Sequence, residues 1–78
     1  MKAAWKYIVY RGADGDEIIA TFPTSTIHAE YARRNSITAS ALVSAGFVTS
    51  DKECFGHSSS LHLRSRPAKD TALLRGED

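Results

Sequence analysis

The first part of the chain alternates between two strand-like hydrophobic segments and a turn. Residues 5–10 are rich in aromatic and β-branched side chains, which favour a strand, and residues 17–22 have a similar character. Residues 11–16, between them, contain two glycines and two aspartates, which are typical of turns. The pattern therefore predicts an antiparallel hairpin with a loop of about four to six residues.

A short helix is predicted after this hairpin. Pro23 ends the second strand because it has no N–H for a strand ladder. Thr24 or Ser25 can then cap the helix with a side-chain oxygen. Ile27 and Tyr31 follow at helical spacing, so we expect both of them on its buried face.

The next hydrophobic segment, residues 39–48, combines features of helix and strand. Its alanines and Leu42 suit a helix, whereas its second half suits a strand. Strand alternation would place Val43, Ala45 and Phe47 on one face. Gly46 in the same segment indicates a bulge or a close contact with a neighbouring aromatic residue.

The last third of the chain predicts two more extended segments and a helix. Residues 53–56 are expected to pair back on the preceding strand after a turn, and residues 60–63 to extend the same sheet. Pro67 suits the first position of a helix that begins after Ser65 or Arg66. Gly76 is expected to end this helix.

These elements predict an α+β fold in the order β-β-α-β-β, followed by the short C-terminal helix. Strands joined by turns pair antiparallel, so we expect a single antiparallel sheet of about four strands packed against one helix. The 78 residues suit a single small domain, residues 1–78. The predicted core consists of Tyr7, Val9, Ile18, Ala20, Ile27, Tyr31, Val43, Phe47, Leu61, Leu63 and Leu73.

Composition indicates a compartment rather than a function. The formal net charge is +1, which exerts no general attraction on nucleic acid or membranes. Cys54 is the only cysteine, so no disulfide can form within the chain, and a lone thiol fits a reducing compartment. The chain contains neither a signal-peptide pattern nor an apolar run long enough for a membrane span. We therefore expect a cytoplasmic protein without a membrane partner.

Most of the reactive side chains lie in one stretch, residues 54–67. These fourteen residues hold the only cysteine, two of the three histidines, four serines and two arginines, and they contain no carboxylate. Cys54 and His57 have a zinc-like spacing, and His28 or His62 could add a ligand, but structural zinc sites usually contain several thiolates. The sequence thus predicts no metal site and no cofactor.

Nucleophilic catalysis would need a thiolate–imidazolium pair, formed by Cys54 with His57 or His28. On a straight strand, however, residues 54 and 57 face opposite sides, so a direct pair would need a bulge at Gly56. The serines do not form a Gly-x-Ser-x-Gly elbow. We therefore assign no catalytic residues and favour a protein that is not an enzyme.

Anion or nucleic-acid binding is an alternative function for the same stretch. The hydroxyls of residues 58–60 can donate hydrogen bonds, and Arg64 and Arg66 would share one face of a strand and can hold a phosphate. The competing interpretation is structural. In it, Ser65 caps the terminal helix and the two arginines pair with Asp51, Glu53 or Asp70.

Protein binding is the function that the sequence favours. The aromatic residues are many for so small a core, and an exposed aromatic patch marks a surface for a protein partner or for a second copy in a homodimer. The expected contact surface joins an aromatic sheet face to the segment from residue 55 to residue 66. Its binding residues are Phe55, His57, Ser58, Ser60, Arg64 and Arg66.

The strings Ser-Ala-Gly-Phe-Val, at residues 44–48, and Cys-Phe-Gly-x-Ser-x-Ser-Leu-x-Leu-x-Ser-Arg-Pro, at residues 54–67, resemble short uncharacterised proteins of bacteria and their phages. With Phe22, Pro23, His28 and Asp70, the resemblance covers most of the chain. It implies an accessory or prophage-borne protein. It implies no catalytic residue, because no activity is assigned to those proteins.

Overall fold

The computed structural model describes residues 2–76, so the predicted domain of residues 1–78 extends beyond it by Met1, Glu77 and Asp78. The strands are β1 (Trp5–Arg11), β2 (Glu17–Phe22), β3 (Leu42–Val48), β4 (Cys54–Phe55), β5 (His57–Ser58) and β6 (Leu63–Arg64). The helices are α1 (His28–Arg34) and α2 (Pro67–Arg75), with a 3-10 turn at Ala39–Ala41. None of the helices within the described residues has the length and apolar character needed to cross a bilayer.

The main sheet is antiparallel and has the strand order β2-β1-β3-β4. The predicted α+β fold is therefore confirmed. The prediction that residues 60–63 extend this sheet is wrong, because β5 and β6 form a separate two-stranded hairpin. Gly56, with a φ of 79°, turns the chain out of β4 at the point where the hairpin begins.

Strand β1 is the centre of the core, and both faces of the sheet are covered. Tyr7, Ile8 and Val9 are all fully buried, although successive strand residues point to opposite faces. On one face, Tyr7 and Val9 pack with side chains that include Leu73 and Leu74 of α2. On the other face, the cluster around Ile8 includes Tyr31 of α1 and both Leu61 and Leu63 of the hairpin segment.

The prediction of a buried core position is wrong for two residues. Ile18 is 41% exposed and Ile27 is 52% exposed. Ile18 lies near the beginning of the edge strand β2, and Ile27 precedes the first turn of α1. Periodicity marks both as apolar positions but does not reveal that an edge strand and a helix start leave them uncovered.

The predicted common face of Val43, Ala45 and Phe47 is also wrong. The pairing of β1 with β3 shifts register between Val9 and Tyr10, so alternation is interrupted near the beginning of β3. Val43 packs against the α2 face of the sheet, whereas Ala45 packs against the other face. The close approach predicted at Gly46 is confirmed, because a Cβ atom there would collide with the carbonyl of Phe55.

Helix α1 obtains its cap from another part of the chain. The prediction of Thr24 or Ser25 as the cap is wrong, since the N-cap position is Ile27 and its side chain makes no capping hydrogen bond. The backbone N–H of Ala29 instead donates to Ser60 Oγ at 3.1 Å. The loop of the β5–β6 hairpin thus satisfies a free N–H of the first helical turn.

A buried carboxylate joins α2 to the sheet. Asp70 is fully buried and accepts hydrogen bonds from the Tyr7 hydroxyl, from the backbone N–H of Arg66 and, at 2.9 Å, from Arg66 Nε. The Arg66 guanidinium also donates to both carboxylate oxygens of Glu17 in β2, at 2.9 and 3.1 Å. We call Tyr7, Asp70, Arg66 and Glu17 the carboxylate network. It holds the start of α2 against β1 and β2.

We expect Tyr7→Phe to lower the free energy of unfolding by about 2 kcal/mol, because it removes a hydrogen bond to a buried charged group. Urea unfolding followed by circular dichroism measures the change. The matched control is Tyr31→Phe, since the Tyr31 hydroxyl has no hydrogen-bond partner within residues 2–76 and its ring stacks on Phe22. Its effect should stay within about 0.5 kcal/mol. Equal losses in the two variants would contradict the role of the network.

Candidate binding surface on the hairpin

The β5–β6 hairpin is short but firmly placed. His57 lies opposite Arg64, and Ser58 lies opposite Leu63. The backbone N–H of Ser65 donates to the carbonyl of Gly56 at 3.0 Å, which closes the base of the hairpin. Leu61 and Leu63 pack against the core of the main sheet, so the hairpin is held on the body of the protein and is not a free arm.

An open concavity of about 600 Å³ lies on this hairpin. Its lining consists of Gly56, His57, Ser58, Ser59, His62, Leu63 and Arg64. Two histidines and one arginine therefore line the same space, and the lining includes no acidic residue. Arg64 is exposed and forms no ion pair with any of the described residues.

The structure brings together only part of the predicted binding set. His57, Ser58 and Arg64 line the concavity, whereas Phe55 and Ser60 lie outside its lining. Phe55 is half-buried and packs its ring against Phe47 at a centroid distance of 5.8 Å. These two aromatic rings support the base of the hairpin from the main sheet.

Two of the predicted serine hydroxyls have structural partners. Ser58 is 1% exposed, and its Oγ accepts a hydrogen bond from the backbone N–H of Leu61 at 3.2 Å. The Ser60 hydroxyl accepts from Ala29, as described above. These hydroxyls shape the hairpin loop and fasten it to α1, while Ser59 remains exposed at the rim of the concavity.

Arg66 belongs to the carboxylate network and not to the concavity. Its guanidinium is balanced by Glu17 and Asp70, which raises the pKa of Arg66, and the hydrogen bonds that it donates to Glu17 are the largest cause. The same contacts lower the pKa of Glu17. Of the pairings expected for the arginines, the one between Arg66 and Asp70 is present, and Ser65 makes no capping bond because Arg66 occupies the N-cap position.

The buried thiol lies apart from the buried imidazole. Cys54 packs with Tyr7 and Val9 on the α2 face, and burial raises the pKa of its thiol to about 11. His28 contacts the rings of Phe22 and Phe47 on the opposite face of the sheet. Residues 2–76 contain no group of three or more histidine, cysteine or carboxylate side chains arranged to hold a metal ion.

His28 is a structural histidine. It is 4% exposed, and its Nε2 lies 2.8 Å from the carbonyl oxygen of Gly46. A carbonyl only accepts, so the ring donates through an Nε2–H. Burial lowers the pKa of His28, because the charged imidazolium would lose its hydration.

His62 also lines the concavity, although it is not among the predicted binding residues. It has a φ of 55° at the end of the hairpin loop, a left-handed conformation in which histidine is enriched among non-glycine residues. The sequence signal was the run of serines at residues 58–60, which is typical of a turn. That turn brings His62 to the same side of the hairpin as Arg64.

Comparison with protein-family models, with curated proteins and with solved structures finds no match for this chain.

We expect stability to decrease as the pH falls below the ordinary histidine pKa of 6.5, because the unfolded chain then binds a proton that folded His28 does not. The free energy of unfolding decreases between pH 6.5 and the lowered pKa of His28. The slope is at most about 1.4 kcal/mol per pH unit. Urea unfolding at pH 7.5 and pH 5.5 measures it. His28→Gln keeps a donor for Gly46 and should flatten the slope, whereas the exposed control His57→Gln should not. Parallel slopes for the wild type and His28→Gln would contradict this assignment.

We expect Cys54 to react with a disulfide reagent at pH 8 about a hundredfold more slowly in the folded protein than in urea, because both burial and the raised pKa suppress the thiolate. The absorbance of the released thiol measures the rate. A control protein with Cys54→Ser and Ser59→Cys places the thiol on the exposed loop and should react rapidly while folded. A native Cys54 as reactive as this control would restore the nucleophile hypothesis.

Proposed function

We propose that this chain is a small, non-enzymatic interaction module that binds an acidic segment of a protein partner in the hairpin concavity. The observation that carries the proposal is the lining itself. His57, His62 and Arg64 face one open space without a carboxylate, and Arg64 has no ion pair within the described residues.

The chemistry of these side chains favours a carboxylate-bearing ligand. A guanidinium can hold a carboxylate through two parallel hydrogen bonds, and each imidazole ring can donate at least one more. His57 lies directly opposite Arg64 across the hairpin, so both can contact one extended segment.

The shape of the concavity favours a macromolecule over a small metabolite. Small-molecule sites usually bury most of the ligand surface, whereas this concavity is open to solvent. A protein segment needs only one side covered and gains affinity from a rigid surface. The contact between Ser60 and Ala29 and the packing of Leu61 and Leu63 supply that rigidity.

Other features support a role without catalysis. The only thiol is buried with a raised pKa, and the only buried imidazole is used by the Gly46 carbonyl. Ser58 is engaged within its own loop. Within residues 54–67, Cys54, Ser58 and Ser60 thus have structural roles, and the two histidines are exposed.

The alternative is an anion- or nucleic-acid-binding domain that uses Arg64, Arg66 and the hydroxyls of residues 58–60. It has less support, because Arg66 is balanced by two carboxylates and two of the hydroxyls have internal partners.

Cytoplasmic location and phage origin are also part of the proposal. The lone reduced cysteine supports the first, and the resemblance to short bacterial and phage proteins supports the second.

Titration with an oligoglutamate peptide at low salt, followed by amide chemical shifts, tests the proposed site. We expect shifts centred on His57, Ser59 and Arg64, and we expect Arg64→Glu to weaken binding by about tenfold or more. The matched control is Arg33→Glu, which reverses the charge of an exposed arginine on α1.

Shifts away from the hairpin, or equal weakening by both variants, would contradict the proposal. Parallel titrations with inorganic phosphate and with a single-stranded oligonucleotide distinguish the alternative. Tighter binding of either at the same residues would favour anion or nucleic-acid recognition over an acidic protein segment.

A further inference from the structure

The two edges of the main sheet differ in how well they are protected. Strand β4 has only two residues, and the chain turns out of it immediately into the hairpin. Strand β2 has six residues and pairs on one side only, with β1. One long edge of the sheet is therefore open.

The backbone groups on this open edge can be identified. The N–H of Gly12 donates to the carbonyl of Asp16 at 2.8 Å, which makes residues 12 and 16 a hydrogen-bonded pair of the hairpin. Such pairs recur at every second position along an antiparallel ladder. The N–H and C=O groups of Glu17, Ile19 and Thr21 must therefore point away from β1, and no hydrogen bond within residues 2–76 uses them.

Strand β2 also lacks the features that usually prevent edge pairing. Proteins protect open edges with lysine, proline, bulges or inward-facing charges. Residues 18–22 are uncharged, and their pairing with β1 shows no register shift. Glu17 is the only charged residue of the strand, and Arg66 already balances it. Ile18, on the same sheet face as Tyr10, is 41% exposed.

We propose that β2 is a homodimer interface, in which the β2 strand of a second copy adds to this edge in antiparallel orientation. The two four-stranded sheets would then form one continuous sheet. A second copy is favoured because the strand complements itself. With the two-fold axis at Ile19, Ile19 of one copy lies opposite Ile19 of the second copy. Ile18 then lies opposite Ala20, and Glu17 lies opposite Thr21.

This register satisfies both the backbone and the side chains. The outward groups of residues 17, 19 and 21 face the same groups of the second copy and exchange hydrogen bonds. The apolar pair of Ile18 and Ala20 covers exposed surface on one face. Each Glu17 carboxylate lies opposite the Thr21 hydroxyl of the other copy, so the two carboxylates are not opposite each other. The low net charge of +1 adds little repulsion between copies.

The dimer does not depend on the hairpin proposal. The hairpin adjoins β3, whereas β2 is the far edge beyond β1. A variant of β2 should change the association state and leave peptide binding intact, and Arg64→Glu should do the reverse.

Sedimentation equilibrium over a concentration series tests the interface. We expect a monomer–dimer equilibrium that both Ile18→Lys and Thr21→Pro weaken by about tenfold or more. The first places a charge on the edge, and the second removes an outward N–H without disturbing the ladder to β1. The matched control is Ile27→Lys, which changes an equally apolar and more exposed isoleucine outside the sheet and should leave the equilibrium unchanged.

Circular dichroism establishes that each variant is folded before it is compared. In the wild type, amide exchange at Ile19 and Thr21 should slow as the concentration rises, which places the contact on this edge. A wild type that stays monomeric at millimolar concentration overturns the proposal. So does a dimer that persists in both folded β2 variants or that is lost equally in Ile27→Lys.

Discussion

The buried carboxylate of Asp70 determines how α2 sits on the sheet. A charge without contact with water is costly unless each of its oxygens is paired, and here Tyr7 and Arg66 provide those partners. Arg66 in turn reaches Glu17 on the edge strand. The start of α2 is thereby fixed over β1 and β2, and the leucines of α2 cover Tyr7 and Val9. The hydrogen-bond geometry restricts α2 more specifically than apolar packing alone would.

On the other face of the sheet, hydrogen bonds between neutral groups hold the elements in place. Ser60 caps α1 from the hairpin loop, Ser58 orders that loop, and His28 donates to the carbonyl of Gly46. Polar groups that could have served as ligands are therefore used to hold α1 and the hairpin together. Within residues 2–76, Arg64 on the hairpin has no ion pair, and the outward backbone groups of β2 have no hydrogen-bond partner. Both surfaces that we assign to binding, the hairpin concavity and the β2 edge, therefore consist of groups that the internal hydrogen bonds do not use.

Several features could be predicted from the sequence because they depend on neighbours along the chain. The β1–β2 hairpin follows from two β-rich segments around a glycine- and aspartate-rich turn, and α2 follows from Pro67 and Gly76. The errors concern residues whose environment comes from elsewhere. Ile18 and Ile27 have apolar spacing but no element covers them. Ile8 was missed as a core residue because alternation alone does not show that both faces of β1 are covered.

By itself the sequence determined the order of the four main-sheet strands and the two helices, the antiparallel pairing, and the concentration of histidine, serine and arginine between residues 54 and 67, because these depend on local propensity and composition. Only the tertiary structure decided which members of that stretch are free. Arg64 and Arg66 are two residues apart and chemically identical, yet Arg66 meets Glu17, which lies 49 positions away, and Arg64 meets solvent. A contact over that separation depends on how the sheet and helix pack, and no local pattern in the chain specifies it.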